Sequence, residues 1–294
     1  MRGYLIIGCF ISLLFNCKEA NKKNLMDVAY VNTLNINREI RAENRVKYLE
    51  LTGLFKLDST TNTFGKDASN KFVLNIENLA TTIGSIDLSK DGLAFYATKG
   101  IKVTTEGGEE IDTLNLGIDA YGNSVQLFHK QLKWQVITRS GVLYLRVWDL
   151  KNLAIQAFKG FKSYDINSEF IIEADFKYFE TMHLESVASK LGVPDVTDFI
   201  GQVRFSYKGV PYSLDVGSEG FVMVGDLTSG ETTYGGGRYM YLELPETNGA
   251  ITLDFNYLFN PPCAYSEFTT CLYPPRQNQL AFGVKAGELL EQAL

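Results

Sequence analysis

The spacing of apolar positions changes once along the chain. Residues 34–50 set Leu34, Ile36, Ile40, Val46 and Leu49 among charges, and Glu39, Arg41, Glu43 and Arg45 favour a helix there. From Leu51 onward the period is two, broken every few residues by turn signals such as Asp91-Gly92, Gly107-Gly108, Tyr121-Gly122-Asn123 and Ser140-Gly141. That pattern predicts an all-β protein, an antiparallel β-sandwich or barrel with one N-terminal helix. The stretch 179–198, with Met182, Leu184, Val187 and Leu191 before Pro194, reads as a short helix or an irregular crossover. The expected organisation is a single mostly-β domain over 33–294. Two β subdomains meeting near 150–160 are the alternative.

The first residues follow a different rule. Arg2 precedes an apolar run, Tyr4 to Phe15, that has the length of a signal-peptide core and is too short to span a bilayer. It ends in Leu14-Phe15-Asn16-Cys17, which resembles a bacterial lipobox, with Asn16 where a small residue is usual. The expectation is a lipoprotein signal peptide at 1–16, lipidation of Cys17 and a tether over 17–32. The partner so implied is a membrane, reached through the lipid anchor. Lys18, where an Asp would favour retention in the inner membrane, implies the outer membrane of a bacterial envelope, on its periplasmic or its surface face. The alternative is an ordinary signal peptide followed by a chance cysteine.

Composition narrows the classes. With 294 residues, 45% of them hydrophobic and 21% charged, the chain has the material for a folded core and lacks the signature of disorder. A net charge of −6 excludes the electrostatic footprint of a nucleic-acid binder.

Four stretches carry polar chemistry. If Ser140 and Gly141 form a two-residue turn, strand alternation puts Arg139 and Arg146 on one face with Ile137, Tyr144 and Trp148. The opposite face then holds Trp134, Leu143, Leu145 and Val147. Two arginines beside aromatics suit a carboxylate or phosphate; the competing reading pairs each with an acid such as Asp149 or lays it over aromatic surface. Residues 226–238 form a polar loop ending in three glycines and Arg238. No helix pattern follows, so a tight turn feeding a strand is expected rather than a phosphate cradle. Next, Ile251 to Tyr257 alternates, with Thr252, Asp254 and Asn256 on one face, running into Asn260-Pro-Pro-Cys263. Lastly, Cys263 and Cys271 are read as a disulfide, as free thiols or as metal ligands; no Cys-x-x-Cys pair or nearby histidine favours the metal. No cofactor-binding motif, nucleophile elbow or zinc-protease motif is present.

Residues 51–150 loosely resemble, in topology alone, a forkhead-associated-type β-sandwich through Gly53 and Phe64-Gly65. That family's phosphothreonine-reading residues are not evident, so phosphopeptide binding is not implied. A broader resemblance rests on Leu51-Thr-Gly-Leu-Phe-Lys-Leu57, Arg139, Arg146 to Asp149, Asp226-Leu-Thr-Ser-Gly230 and Thr233-Tyr-Gly-Gly-Gly-Arg238. It continues through Asp254-Phe-Asn256, Asn260-Pro-Pro-Cys-Ala264, Cys271, Pro274-Pro275 and Ala286-Gly-Glu288. These segments resemble the bacterial group catalogued as domain of unknown function 1684, over about residues 40–288. Tyr273 and Gln279 depart from its pattern. The resemblance implies no activity. It maps the group's polar motif onto Arg139, Arg146, Asp149, Arg238, Asp254, Asn256, Cys263 and Cys271.

The functional expectation is a binding or structural module with a polar pocket near 226–278. It would hold a small anionic or polar ligand through Arg238 and one of the hairpin arginines, with Asp254 and Asn256 nearby. The alternative is a hydrolase with Asp254 as acid and base, and Arg238 or Asn256 polarising the substrate.

Overall fold

The structure is a computed structural model that describes residues 27–90 and 92–292. The expected signal peptide and Cys17 lie outside the described residues. Asp27 caps the first helix, its carboxylate accepting from the Ala29 N–H at 3.1 Å. That helix, α1, runs Val28–Asn44 and is followed by one short turn of helix, α2, Val46–Leu49. The last five residues of the expected tether, 28–32, are therefore helical. The helix docks on the body through Leu34, buried to 1%, whereas Ile36 and Ile40 face solvent. Among the described residues no helix is long and apolar enough to cross a membrane.

The rest of the chain is mostly β, in antiparallel sheets, as the two-residue period predicts. One five-stranded sheet has the order Leu51–Lys56, Val142–Asp149, Leu132–Arg139, Leu127–His129, Thr104–Thr105. A second packs against it: Phe72–Val73, Thr61–Gly65, Gly84–Ser89, Gly92–Ala97, Thr113–Asn115. The first two strands of this second sheet pair in parallel, whereas the other paired strands among the described residues are antiparallel. Between the two sheets lies a core centred on Phe64, Phe95 and Trp134, whose rings meet at 5.3–6.2 Å. A second core, from Phe170 to Ala286, is covered by a four-stranded sheet in the order Val210–Val216, Asp195–Tyr207, Ile171–Val187, Gly249–Asp254. Two ribbons complete this half, Phe221–Val224 with Arg238–Tyr241 and Phe161–Ser163 with Glu288–Gln292.

Two local expectations change. Residues 179–198 are not helical: Ile171–Val187 and Asp195–Tyr207 are long strands paired from Ala174↔Phe205 to Val187↔Asp195. A bulge between Tyr178 and His183 breaks the alternation, which is why the apolar spacing there mimicked a helix. The strand expected over Ile251 to Tyr257 stops at Asp254, and Phe255–Tyr257 turn as a 3-10 helix. The Asp254 carboxylate ends the strand by capping that turn.

Candidate functional site

The hairpin Leu132–Arg139/Val142–Asp149 has the expected register, with Val142 opposite Arg139 and Arg146 opposite Gln135. Ser140 (φ 49°) and Gly141 (φ 74°) form its two-residue turn; both are left-handed, as a primed turn requires. Trp134, Val136, Leu145 and Val147 face the first core, and Arg139 and Arg146 face away from it. That second face is only partly open to solvent, with Ile137, Tyr144 and Trp148 buried. Helix α2 lies over it, with the Trp148 Nε1–H donating to the Lys47 carbonyl at 3.1 Å.

Between the hairpin, the helices and the second half is a cavity of about 550 Å³. The helices contribute Arg41, Asn44, Arg45, Lys47 and Tyr48, and the first sheet contributes Leu51, Arg139 and Arg146. The second half supplies Phe221, Tyr239, Tyr241, Phe259, Asn260, Tyr265 and the loop reaching Cys271. Five cationic side chains and no carboxylate line it, in a chain of net charge −6. Arg45 is neutralised by Glu288, which lies outside the lining and also accepts from the Asn260 N–H at 2.8 Å. Arg41 lies 3.8 Å over the Phe259 ring. Among the described residues neither Arg41, Arg139 nor Arg146 forms an ion pair. Arg139 donates to the neighbouring Thr138 carbonyl at 2.7 Å, and the buried Arg146 Nε has no hydrogen-bond partner. Burial first, then the charge of Arg139, push the Arg146 pKa down to about 10. Burial holds the Tyr239, Tyr241 and Tyr265 phenols above their ordinary pKa, so they stay neutral, and the Tyr239 hydroxyl donates to the Leu272 carbonyl.

Other expected site residues serve the fold. Arg238 is 0% exposed and does not reach the cavity. It donates to Asp226 Oδ2 at 2.9 Å and to the Val284, Ala286 and Glu288 carbonyls, pinning the C-terminal segment. The other oxygen of Asp226 accepts from Thr228 and from the Val284 N–H, so the pair is closed. Of the three glycines before Arg238, Gly236 and Gly237 are where the backbone passes too close to its neighbours for a Cβ. At Gly237 (φ +80°) a Cβ would lie 2.4 Å from Pro274 and 2.7 Å from the Val224 carbonyl. Asp254 and Asn256 are buried as well. Asp254 accepts from the Tyr30 hydroxyl at 2.7 Å and from both nitrogens of Asn256 at 2.9 Å. Asn256 in turn holds the Asn167 backbone. Burial and the Asp254 bond drive the Tyr30 phenol pKa well up. Arg238, Asp254 and Asn256 therefore do not converge on an open pocket, because each is consumed by backbone it organises.

Cys263 and Cys271 are disulfide-bonded, with Cα atoms 6.0 Å apart. Cys271 borders the cavity, so the bridge fixes one of its walls. Among the described residues one group has the proximity for a metal, His183, Glu185 and Asp215, whose ligand atoms lie within 4.8 Å. The Gln277 amide donates to both carboxylates, at 2.6 and 3.2 Å, and Gln202 donates to Asp215 at 2.8 Å. The carboxylates are thus satisfied from within the protein.

The arginines that sequence reading passed over are Arg41 and Arg45. With Tyr48 they stand at i, i+4 and i+7, one helical face, and that spacing was the available signal.

Residues 156–289 match the family model described as "Protein of unknown function (DUF1684)", a shorter span than the 40–288 of the motif resemblance. The chain is also similar to an uncharacterized protein of Haloarcula marismortui solved by solution NMR. Identity is 30%, the alignment covers 46% of this chain and 78% of that one, and the TM-score is 0.39. No curated protein matches. Arg41, Arg45, Arg139 and Arg146 all lie outside the matched segment, which supplies the aromatic and disulfide wall of the cavity.

Proposed function

The chain belongs, through residues 156–289, to the family of proteins of unknown function DUF1684, and from the geometry of its cavity we propose that it is a binding module for a small anionic ligand. The ligand occupies the cavity between the hairpin, α1 and the disulfide loop. One observation carries this reading: Arg139 and Arg146 face a walled cavity with no acid to neutralise them. A desolvated, unpaired guanidinium costs stability and persists where something else uses it. The volume of about 550 Å³ falls in the range of small-molecule sites. Arg238 has no part in binding, and the hydrolase alternative lacks the open convergence of Asp254, Asn256 and Arg238 that it requires.

The same proposal places the module on a bacterial envelope, tethered through a lipidated Cys17 to the outer membrane. It rests on the lipobox-like sequence alone. Labelling with a radioactive fatty acid, abolished by Cys17→Ser, is the expected result. Label that survives the substitution removes the anchor.

Calorimetric titration with a panel of small organic anions tests the site. At least one anion should bind wild type and bind Arg146→Met at least ten-fold more weakly, on the order of the loss of one charge-assisted contact. Identical affinities in the two proteins would sink the proposal.

A further inference from the structure

The cavity is not uniform. The charge bearing on Arg146 is that of Arg139, with the Tyr48 phenol also acting on it, and its guanidinium lies 6.0 Å over the Trp148 ring. Arg41 is attracted by Glu288 and repelled by Arg45, so its charge is partly offset. Lys47, also in the lining, forms no ion pair among the described residues and lies 5.2 Å over the Tyr48 ring. The hairpin pair and Lys47 therefore carry the unpaired charge of the cavity. Part of the remaining surface is formed by rings, Tyr48 and Tyr265 at 6.3 Å edge to face, and Tyr241 and Phe259 near-parallel at 6.2 Å. Tyr241 is 50% exposed although it borders the cavity.

We propose that the ligand is an organic phosphate monoester with a ring-shaped body, its phosphate held by Arg139 and Arg146 and its ring against the Tyr48–Tyr241 wall. The inference rests on the anion-binding reading above and narrows it. Two arginines without a counter-charge call for close to two negative charges. A phosphate monoester carries ~1.5 to 2 at pH 7, whereas a carboxylate carries one. The two guanidinium groups come from different strands and different positions along them, Arg139 opposite Val142 and Arg146 opposite Gln135. A tetrahedral group with three acceptor oxygens takes bonds from separate directions. A carboxylate, with two oxygens in one plane, is matched by a single arginine fork. Neutral phenols beside a flat ring add stacking area and donors without adding repulsion.

Titration calorimetry with phenyl phosphate, benzoate, inorganic phosphate and phenol tests this directly. Phenyl phosphate is expected to bind wild type at least ten-fold more tightly than benzoate or inorganic phosphate. Arg139→Gln and Arg146→Met should each cost it ten-fold or more. Tyr241→Ala should weaken phenyl phosphate and leave inorganic phosphate unchanged. Far-UV circular dichroism and a thermal melt on each variant confirm folding, and the wild-type ranking stands alone if one variant does not fold. If benzoate binds as tightly as phenyl phosphate, and both depend on Arg146, the phosphate assignment falls while anion binding survives. If none of the three anions binds wild type, the phosphate assignment and the anion-binding reading fall together.

Discussion

Replacing Arg146 by methionine should stabilise the unliganded protein, which is the opposite of what most buried substitutions do. Methionine keeps much of the side-chain volume over Trp148 and removes the charge. The magnitude follows from the environment of the guanidinium. Its pKa is pushed from the ordinary arginine value to about 10 by burial and by Arg139, which corresponds to a cost of about 3 kcal/mol. A guanidinium keeps its proton at any pH where the fold survives, so the cost appears as lost stability rather than as titration. Partial solvent screening at the cavity mouth and lost stem packing reduce the gain, and about 1–2 kcal/mol of net stabilisation is expected. At ~2–4 °C per kcal/mol this raises the midpoint of thermal unfolding by about 5 °C. Urea denaturation followed by circular dichroism reads the same gain as a higher midpoint at unchanged slope. Arg146→Lys, which retains the charge, should show no such gain. A methionine variant destabilised by 1 kcal/mol or more would refute the reasoning, because the guanidinium would then have to be paired in solution.

Three further substitutions follow from the buried polar contacts. Asp226→Asn leaves the fully buried Arg238 without its counter-charge and should cost about 3–5 kcal/mol in urea denaturation; a loss under 1 kcal/mol would mean that the carbonyls of 284–288 alone suffice. Asn278→Ala removes the amide that bonds both backbone groups of Asp215 and the Met223 carbonyl, all buried. The expected loss is about 2–4 kcal/mol, measured the same way. Replacing Cys263 and Cys271 together by serine should lower stability by about 2.5 kcal/mol, the loop-entropy value for so short a ring. Wild type treated with reductant should match that variant.

The parts legible from sequence were those set by local geometry. A two-residue Ser140-Gly141 turn fixes register, register fixes faces, and the hairpin arginines fell where the alternation put them. The β class followed from the period and the turn residues. What remained hidden depends on distant partners. Nothing near Arg238 in sequence announces that Asp226 and the carbonyls at 284, 286 and 288 will take up its two terminal nitrogens, leaving the buried Nε without a partner. Asp254 looked like the polar face of a strand, yet its carboxylate caps a turn and anchors Tyr30, 224 residues away. Arg41, Arg45 and Tyr48 share a helical face, but which surface that face meets is a tertiary fact. The cavity therefore could not be assembled from any one segment, since its cations lie between residues 41 and 146 and all its aromatics but Tyr48 between 221 and 265.

An anion held by Arg139 and Arg146 together is visible in a crystal of the protein soaked in selenate, because selenium marks a tetrahedral dianion by its anomalous signal. A peak is expected within hydrogen-bond distance of both guanidinium groups, lost in Arg146→Met. A cavity without the peak, with Arg146 bonded instead to a carboxylate of its own chain, would contradict an anion site there.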